Sequence, residues 1–511
     1  MDVFKHLGGQ PLTASLQVLG VTLALGFLFL YFNKDRPYPG FPLAVVEGKS
    51  PKESWLYHGK QTLSEGSRKY SGAFQVITGT GPVIVLPNRF ADELRNHHSL
   101  SFMKGLAKDF FINYPGFEAH RSVLKDPLLA QETVRIQLTQ SLGLITGDLV
   151  EETTATLQEV IGDSDEWQVR RLKDDVSDIV ARLSARVFLG LNLCRNKRWL
   201  DISKTYTTDL FITSYIMRMA PAILRPIVYW IIPQARSIRK AVRDAHEIID
   251  PEVERRKKAI DAAHAAGEKP PKTADALGWM YESAKRRNVQ VEYSNASIAM
   301  AMAAIHTTSE TLSQALLDIC QYPDVADQLR KEIVEVIGQN GWSKTSLYKL
   351  RLMDSFLKEG QRHHPMSAAA MGRYVENSIE LSDGTILPRC SRIMVAGNFM
   401  DPEIYTNPSE FDAARFCKLR QRAGEENRWQ FVTTTPAYTL FGHGEHACPG
   451  RFFASNELKI ALCHLLIKYD WDLIPGEGRP KTSAFEASDM VDTAAKLRVR
   501  RRRAEIDLDT L

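Results

Sequence analysis

One thiol in this chain stands where chemistry is to be expected. The run Phe441-Gly442-His443-Gly444-Glu445-His446-Ala447-Cys448-Pro449-Gly450-Arg451 sets a cysteine in a glycine-rich loop that leads into a helical pattern. With Pro449 read as a first helical residue, Cys448 falls at or beside the N-cap, where free backbone N–H groups and the helix dipole favour a charged sulfur. Gly442, Gly444 and Gly450 carry no Cβ, so the backbone there can turn sharply and approach a flat ligand. Such a loop can present a thiolate to a metal, can hold a nucleophile paired with His446 or His443, or can be a tight turn with an incidental cysteine.

Two further constellations carry chemistry. Ser297 to Leu317 reads as one helix, apolar at its start and small at its middle, with His306, Thr307, Thr308 and Ser309 consecutive. Mid-helix hydroxyls compete for carbonyls three or four residues back, which leaves a groove for a small polar ligand. The alternative is a buried core helix whose threonines satisfy themselves. In Phe356-Leu357-Lys358-Glu359-Gly360-Gln361-Arg362, Glu359 and Arg362 are three apart and meet on one helix face, suited to a charge-assisted pair.

Phe-x-x-Gly-x-His-x-Cys-x-Gly resembles the haem-ligand loop of the cytochrome P450 superfamily, and the other two stretches resemble its distal helix and its Glu-x-x-Arg motif. The resemblance implies haem b with Cys448 as axial thiolate, cradled by Phe441, Gly442 and Gly450, with His446 on a propionate. An anionic sulfur pushes electron density onto iron and favours O–O cleavage. Thr307 aligns with the threonine that steers protons to the oxygen side, with Thr308 beside it. His306 stands where an acid is usual, and an imidazole can relay protons near neutral pH. Glu359 and Arg362 would be completed by Arg415, in Phe411-Asp412-Ala413-Ala414-Arg415-Phe416, where Ala413 replaces the family's proline. Arg135 and Arg373 are the expected further propionate contacts, although the tryptophan that usually accompanies the first is absent.

Arg182–Gly190, Asp354–Glu359 and Ala447–Ala454 resemble microsomal enzymes of fungal secondary metabolism, those oxidising gibberellin and related diterpenoids among them. Such enzymes take NADPH electrons from a separate cytochrome P450 reductase, with cytochrome b5 as an auxiliary donor. This chain has no flavin or nicotinamide fingerprint of its own. By the same analogy, segments 102–117, 210–215, 300–308 and 366–371 line a mostly apolar pocket for a bulky lipophilic terpenoid. An alkaloid or polyketide scaffold is the alternative substrate. An isomerase or dehydratase working without oxygen is the alternative reaction, motivated by His306, and a haem-based carrier or sensor is the alternative outside catalysis.

The elements that must position these residues follow from periodicity. Helical spacing dominates from about 126 to 340, with helices at 55–70, 133–149, 174–188, 238–258 and 325–337. Short strands are expected at 74–78, 83–86, 379–381, 392–396 and 471–473. The fold class is therefore mostly α with small β-sheets, the P450 architecture that the resemblance implies, as one catalytic domain over 43–511.

Ahead of it lie a short tail (1–11), a run of 21 uncharged residues from Leu12 to Phe32, and a proline-rich hinge (33–42). That run just spans a bilayer core of about 30 Å and is expected to be a single transmembrane helix. A cleavable signal peptide is disfavoured by its length and its bulky end. Endoplasmic-reticulum anchoring with a cytoplasmic catalytic domain follows by analogy. The apolar stretch from Pro221 to Pro233 is a second membrane contact or a packing turn.

Net charge is +4 and 25% of residues are charged, too mild a balance for a nucleic-acid binder. The arginines at 498 and 500–503 read as a solvated tail or edge strand. The 6 cysteines show no regular spacing, so a disulfide framework is not expected and a reducing compartment fits.

Overall fold

The computed structural model describes residues 36–511. The expected anchor and tail lie outside the described residues, and within them no helix is long and apolar enough to cross a membrane. In chain order the elements used below are α1 (Pro51–Lys69), β1 (Phe74–Thr78), β2 (Gly81–Leu86), β3 (Leu100–Ser101), α2 (Phe102–Asp109) and α3 (Leu142–Val160). After them come β4 (Gln168–Arg171), α4 (Leu172–Leu189), α5 (Lys197–Met219), α6 (Pro233–Ala265), α7 (Tyr293–Gln321) and α8 (Pro323–Asn340). The C-terminal part holds α9 (Arg351–His363), β5 (Ala369–Val375), β6 (Arg392–Ala396), α10 (Arg451–Lys468), β7 (Tyr469–Asp472), β8 (Thr482–Phe485), β9 (Ser488–Val491) and β10 (Lys496–Arg501).

Helix α7 is the axis of the molecule, about 44 Å long at 1.5 Å per residue. It packs against α4, α5 and α6 on one side and against α9 and α10 on others, and one apolar cluster joins all six. No proline or glycine interrupts it, and alanine and methionine are strong helix formers. Smaller apolar clusters lie under the sheet formed by β1-β2-β6-β5-β3 and between that sheet and α1.

Two departures from the sequence reading concern the helix after residue 126. Thr133–Leu138 is a π-helical turn, and the long helix begins only at Leu142. Such turns put an extra residue into the coil and recur at functional sites. A third concerns the C-terminal arginines, of which Arg498, Arg500 and Arg501 lie in a strand that is not an edge, while Arg502 and Arg503 follow it. Strand β10 is the centre of the sheet β4-β10-β7, and its Arg498 and Arg500 pair with Asp472 at 2.5 Å and Asp470 at 3.2 Å while covering the Trp167 ring. The hairpin β8–β9 has no counterpart among the strands expected from the sequence.

Candidate active site

Helix α10 starts at Arg451 with Gly450 as its cap, so Cys448 lies two residues ahead of the cap and Pro449 is in the preceding turn rather than in the helix. The sulfur is nonetheless the target of the first helical amides, for the N–H groups of Gly450 and Arg451 are directed at it. Cys448 donates its own N–H to the Phe441 carbonyl at 2.7 Å, and Phe441 packs edge-on against Phe431 at 5.2 Å. Gly442 and Gly444 have φ of 71° and 75°, a region that glycine alone enters without strain. Gly450 has ordinary backbone angles, and a Cβ there would make only normal contact with Val134. Gly450 thus shares the turn with Pro449 without needing a positive φ, whereas Gly442 does need one.

Burial pushes the Cys448 thiol above its ordinary range, and the two amides and the Arg451 charge only partly oppose that. The loop does not make a thiolate unaided. A coordinating metal does, because its own charge deprotonates a ligating thiol outright.

Arg373, His446 and Phe102 share one corner of the molecule. A bulge in β5 between Ala370 and Arg373, with Met371 at φ 55°, turns Arg373 toward a large cavity. Its guanidinium lies 5.4 Å from the Phe102 ring, and the His446 ring stacks at a tilt 5.8 Å from the same phenyl. Arg373 is buried, bonds only its neighbour Gly372 among the described residues, and is brought down to about 10 by that burial. Burial and the adjacent Arg373 charge lower His446. A buried cation with no anionic partner at hydrogen-bond distance is costly, and a ligand carboxylate is the group that would settle it. Arg135, on the π-helical turn, is exposed and lies within electrostatic reach of Arg451 beside the thiol.

On α7 the Thr307 hydroxyl donates back to Ala303 at 3.0 Å and Ala304 at 3.2 Å, and Thr311 donates to the Thr307 carbonyl at 3.0 Å. Ala303 and Thr307, one turn apart, are accessible while Thr308 is buried. The helix stays continuous, so the expected notch comes from small side chains rather than from a broken ladder. His306 borders the large cavity, its buried Nε2 without a hydrogen-bond partner among the described residues. Burial and the nearby Lys173 lower its pKa, which keeps the imidazole neutral at pH 7. Lys173 is itself paired with Glu310 at 2.5 Å.

Glu359, Arg362 and Arg415 come together in full burial. Arg362 grips Glu359 with two bonds of 2.8 Å, and Arg415 adds one of 2.9 Å. The two arginines then hold the carbonyls of Phe399, Pro408 and Glu410. Burial alone would raise the Glu359 carboxyl, but hydrogen bonds from Arg362 and His363 and the Arg362 charge hold it down to about 2. Ala413 in place of proline leaves this arrangement intact. Sequence reasoning missed Lys358 in the same helix, whose ammonium is wholly buried, bonds the carbonyls of Gln430 and Thr433, and lies 3.4 Å from the Tyr438 ring centroid. Nothing in the sequence singled it out, since Lys358 falls on the polar face of the helix with Asp354 and Arg362.

A family model for cytochrome P450 matches residues 61–497. The chain belongs to the cytochrome P450 family. Cytochrome P450 monooxygenase bsc2 of Alternaria brassicicola is 42% identical over 494 residues, covering 95% of this chain and 94% of that protein. Monooxygenase bsc11 of the same fungus is 38% identical over 511 residues, covering 99% and 97%. Monooxygenase adrA of Penicillium rubens is 36% identical over 512 residues, covering 97% and 98%. This P450 is accordingly an oxidoreductase of the monooxygenase class, and its family implies haem with a thiolate-bound iron. The residues present fit that group, since Cys448 lies under converging amides and Arg373 is a buried cation awaiting an acid.

The cavity of this P450 has a volume of about 690 Å³. It is walled by Phe102, Leu106 and Phe110 from α2 and its end, Phe211 and Ile212 from α5, His306, and Ala369 and Ala370 from β5. Each of the expected segments thus contributes, although Met366 and Met371 do not. Asp109, Arg218, Arg392 and Glu486 also reach the lining, as do Trp55 and the hairpin residues Phe485 to Ser488. On the proximal side, Glu457 of α10 is fully buried, accepts the Ser184 hydroxyl at 2.8 Å, and is raised by burial to about 8.

Proposed function

We propose that this P450 is a membrane-anchored haem-thiolate monooxygenase that oxidises a bulky lipophilic secondary metabolite, a terpenoid in the first instance. The observation that carries the reading is the sulfur of Cys448 set under the Gly450 and Arg451 amides at the mouth of α10. Haem bound there would supply oxygen activation. Cys448 would hold it from below, and Arg373, His446 and Arg135 would take its propionates. The Thr307 hydroxyl, free to exchange its carbonyl partners, would hold a proton on the oxygen side, and neutral His306 would accept and return one. Glu359, Arg362 and Arg415 would brace the proximal loop. Electrons would come from NADPH through cytochrome P450 reductase, with cytochrome b5 as auxiliary.

Support for a lipophilic substrate comes from the aromatic and aliphatic walls of the cavity and from its size. Support for membrane attachment comes from the uncharged run at 12–32 and from Ile223, Ile227, Trp230 and Ile231, each more than 60% exposed on one short segment. An exposed apolar patch of this kind sits naturally in an interface, with the domain on the cytoplasmic face of the endoplasmic reticulum.

The test is the purified holoprotein. Wild type is expected to give the red-shifted carbonyl band of thiolate ligation and Cys448→Ser to lose it. Co-expression with a terpene-scaffold pathway, followed by product analysis, decides the substrate class. Turnover without NADPH or oxygen would favour the isomerase reading, for which the unpartnered Nε2 of His306 is the supporting feature.

A further inference from the structure

A chain of buried hydrogen bonds runs between the helix of Thr307 and the segment that leads into the cysteine loop. The Tyr438 hydroxyl donates to the Gln361 side-chain carbonyl at 2.7 Å, the Gln361 amide donates to the Thr311 hydroxyl at 3.3 Å, and Thr311 donates to the Thr307 carbonyl at 3.0 Å. Tyr438, Gln361 and Thr311 are all buried. Gln361 belongs to α9, where it fills one of the two open positions of the Glu-x-x-Arg motif. Lys358 of the same helix anchors the far end, its ammonium 3.4 Å from the Tyr438 ring centroid and bonded to the Gln430 and Thr433 carbonyls. Tyr438 itself stands three residues before Phe441, whose carbonyl takes the Cys448 N–H.

The chain has one direction. The Thr311 proton is committed to Thr307, so the Thr311 oxygen must accept, while the phenol needs an acceptor of its own, and a side-chain amide offers both a donor and an acceptor. Burial holds the Tyr438 phenol well above its ordinary range, so it stays a neutral donor. Turning the amide over would draw the Thr311 hydroxyl off the Thr307 carbonyl and leave the phenolic proton with no acceptor among the described residues. That carbonyl is also the acceptor of the helical Thr311 N–H, and a threonine hydroxyl bonded back in this way tends to bend a helix. The local shape of α7 at Thr307 is therefore set from α9. Because the Thr307 hydroxyl rests on the Ala303 and Ala304 carbonyls, a change in that bend moves it. The chain ends on a carbonyl and so passes no proton; what it supplies is aim.

We propose that Gln361 is a positioning residue for the reaction: through Thr311 it fixes where the Thr307 hydroxyl stands, and through Tyr438 it ties that setting to the segment entering the cysteine loop. This rests on the proton-holding role given to Thr307 above. A buried amide satisfied at both ends holds two elements in one register, whereas an apolar side chain of the same size would fill the space and hold neither. Methionine is the nearest such replacement for Gln361, and valine has nearly the shape of threonine without its hydroxyl.

The test uses the full-length holoprotein, without substrate, as Gln361→Met, Thr311→Val and the two together. In hydrogen exchange followed by mass spectrometry, protection over residues 303–315 of α7 is expected to fall about twofold to tenfold in either single variant, the factor for losing one intramolecular hydrogen bond, and protection over α4 to fall less. The infrared C–O stretch of the carbonyl complex, which reports the groups standing over the bound gas, is expected to shift or broaden in both, with the red-shifted visible band retained. The double variant should exceed neither single one, because both cut the same chain. Unchanged exchange at 303–315 or an unchanged C–O stretch in both single variants overturns the proposal, as does an equal loss of protection over α4 or a double variant whose effects add. A wild type lacking the red-shifted band would end the thiolate reading and leave the exchange comparison to decide the role of Gln361. If both signatures move while Thr307→Ala still couples fully, the positioning by Gln361 stands and the proton-holding role of Thr307 falls.

Discussion

Arg415 reaches across 56 residues of chain to place its Nε 2.9 Å from the Glu359 oxygen that Arg362 also holds at 2.8 Å. One acid thereby ties α9 to the loop that approaches the cysteine. Removing one partner of a buried ionic group strands the rest, a cost of about 3–5 kcal/mol. Arg415→Ala is expected to lower the unfolding free energy of the holoprotein by that amount in urea titrations and to reduce its haem content. Arg415→Lys should recover only part, because an ammonium cannot reproduce the fork that serves Glu359 and the Glu410 carbonyl together. A loss below about 1 kcal/mol would place the pair among exposed ones.

Glu457 gives a pH dependence with a definite sign. Its folded pKa of about 8 lies above the ordinary 4.5, so between those values the unfolded chain releases a proton that the folded one keeps. Stability from this group is therefore greatest below about 4.5 and declines as pH rises toward 8. Glu457→Gln keeps a neutral side chain beside Ser184 and is expected to flatten the decline in urea midpoints between pH 5 and pH 8. An unchanged slope would show that the carboxyl titrates normally.

Arg373→Met separates folding from haem retention. Taking away a buried, weakly partnered cation should leave the apoprotein as stable as wild type or more so, while haem leaves roughly tenfold faster for want of one charge-assisted bond. Haem transfer to apomyoglobin and apoprotein melting measure the two halves. Equal transfer rates would remove Arg373 from the propionate set.

Thr307→Ala is expected to leave the carbonyl spectrum intact and to cut product formed per NADPH several-fold, because the hydroxyl that now rests on the Ala303 and Ala304 carbonyls disappears without disturbing the helix. Full coupling in this variant would take the proton-holding role away from Thr307.

Local motifs were legible and dispersed ones were not. The cysteine loop, the α7 threonines and the Glu359–Arg362 pair each lie within a few consecutive residues, so their types and spacing announce them. The start of α10 was misplaced because Pro449 is acceptable both as a first helical residue and in the turn that precedes it. The polar end of the cavity was invisible: Trp55, Thr80, Asp109, Arg218, Arg392 and Glu486 come from six separate segments, each looking like an ordinary surface residue. The hairpin β8–β9 was missed because Thr-Ser-Ala-Phe and Ser-Asp-Met-Val alternate too weakly to read as strands. Strand β10 does alternate, through Leu497 and Val499, but its arginines suggested solvent.

Glu310 of α7 holds Lys173 with one oxygen and, with the other, accepts the Val491 N–H at 2.8 Å. Val491 closes the strand that follows Glu486, five positions away. Hairpin and axial helix are thus fastened through one carboxylate, so a shift of that strand bears on the helix that carries Thr307.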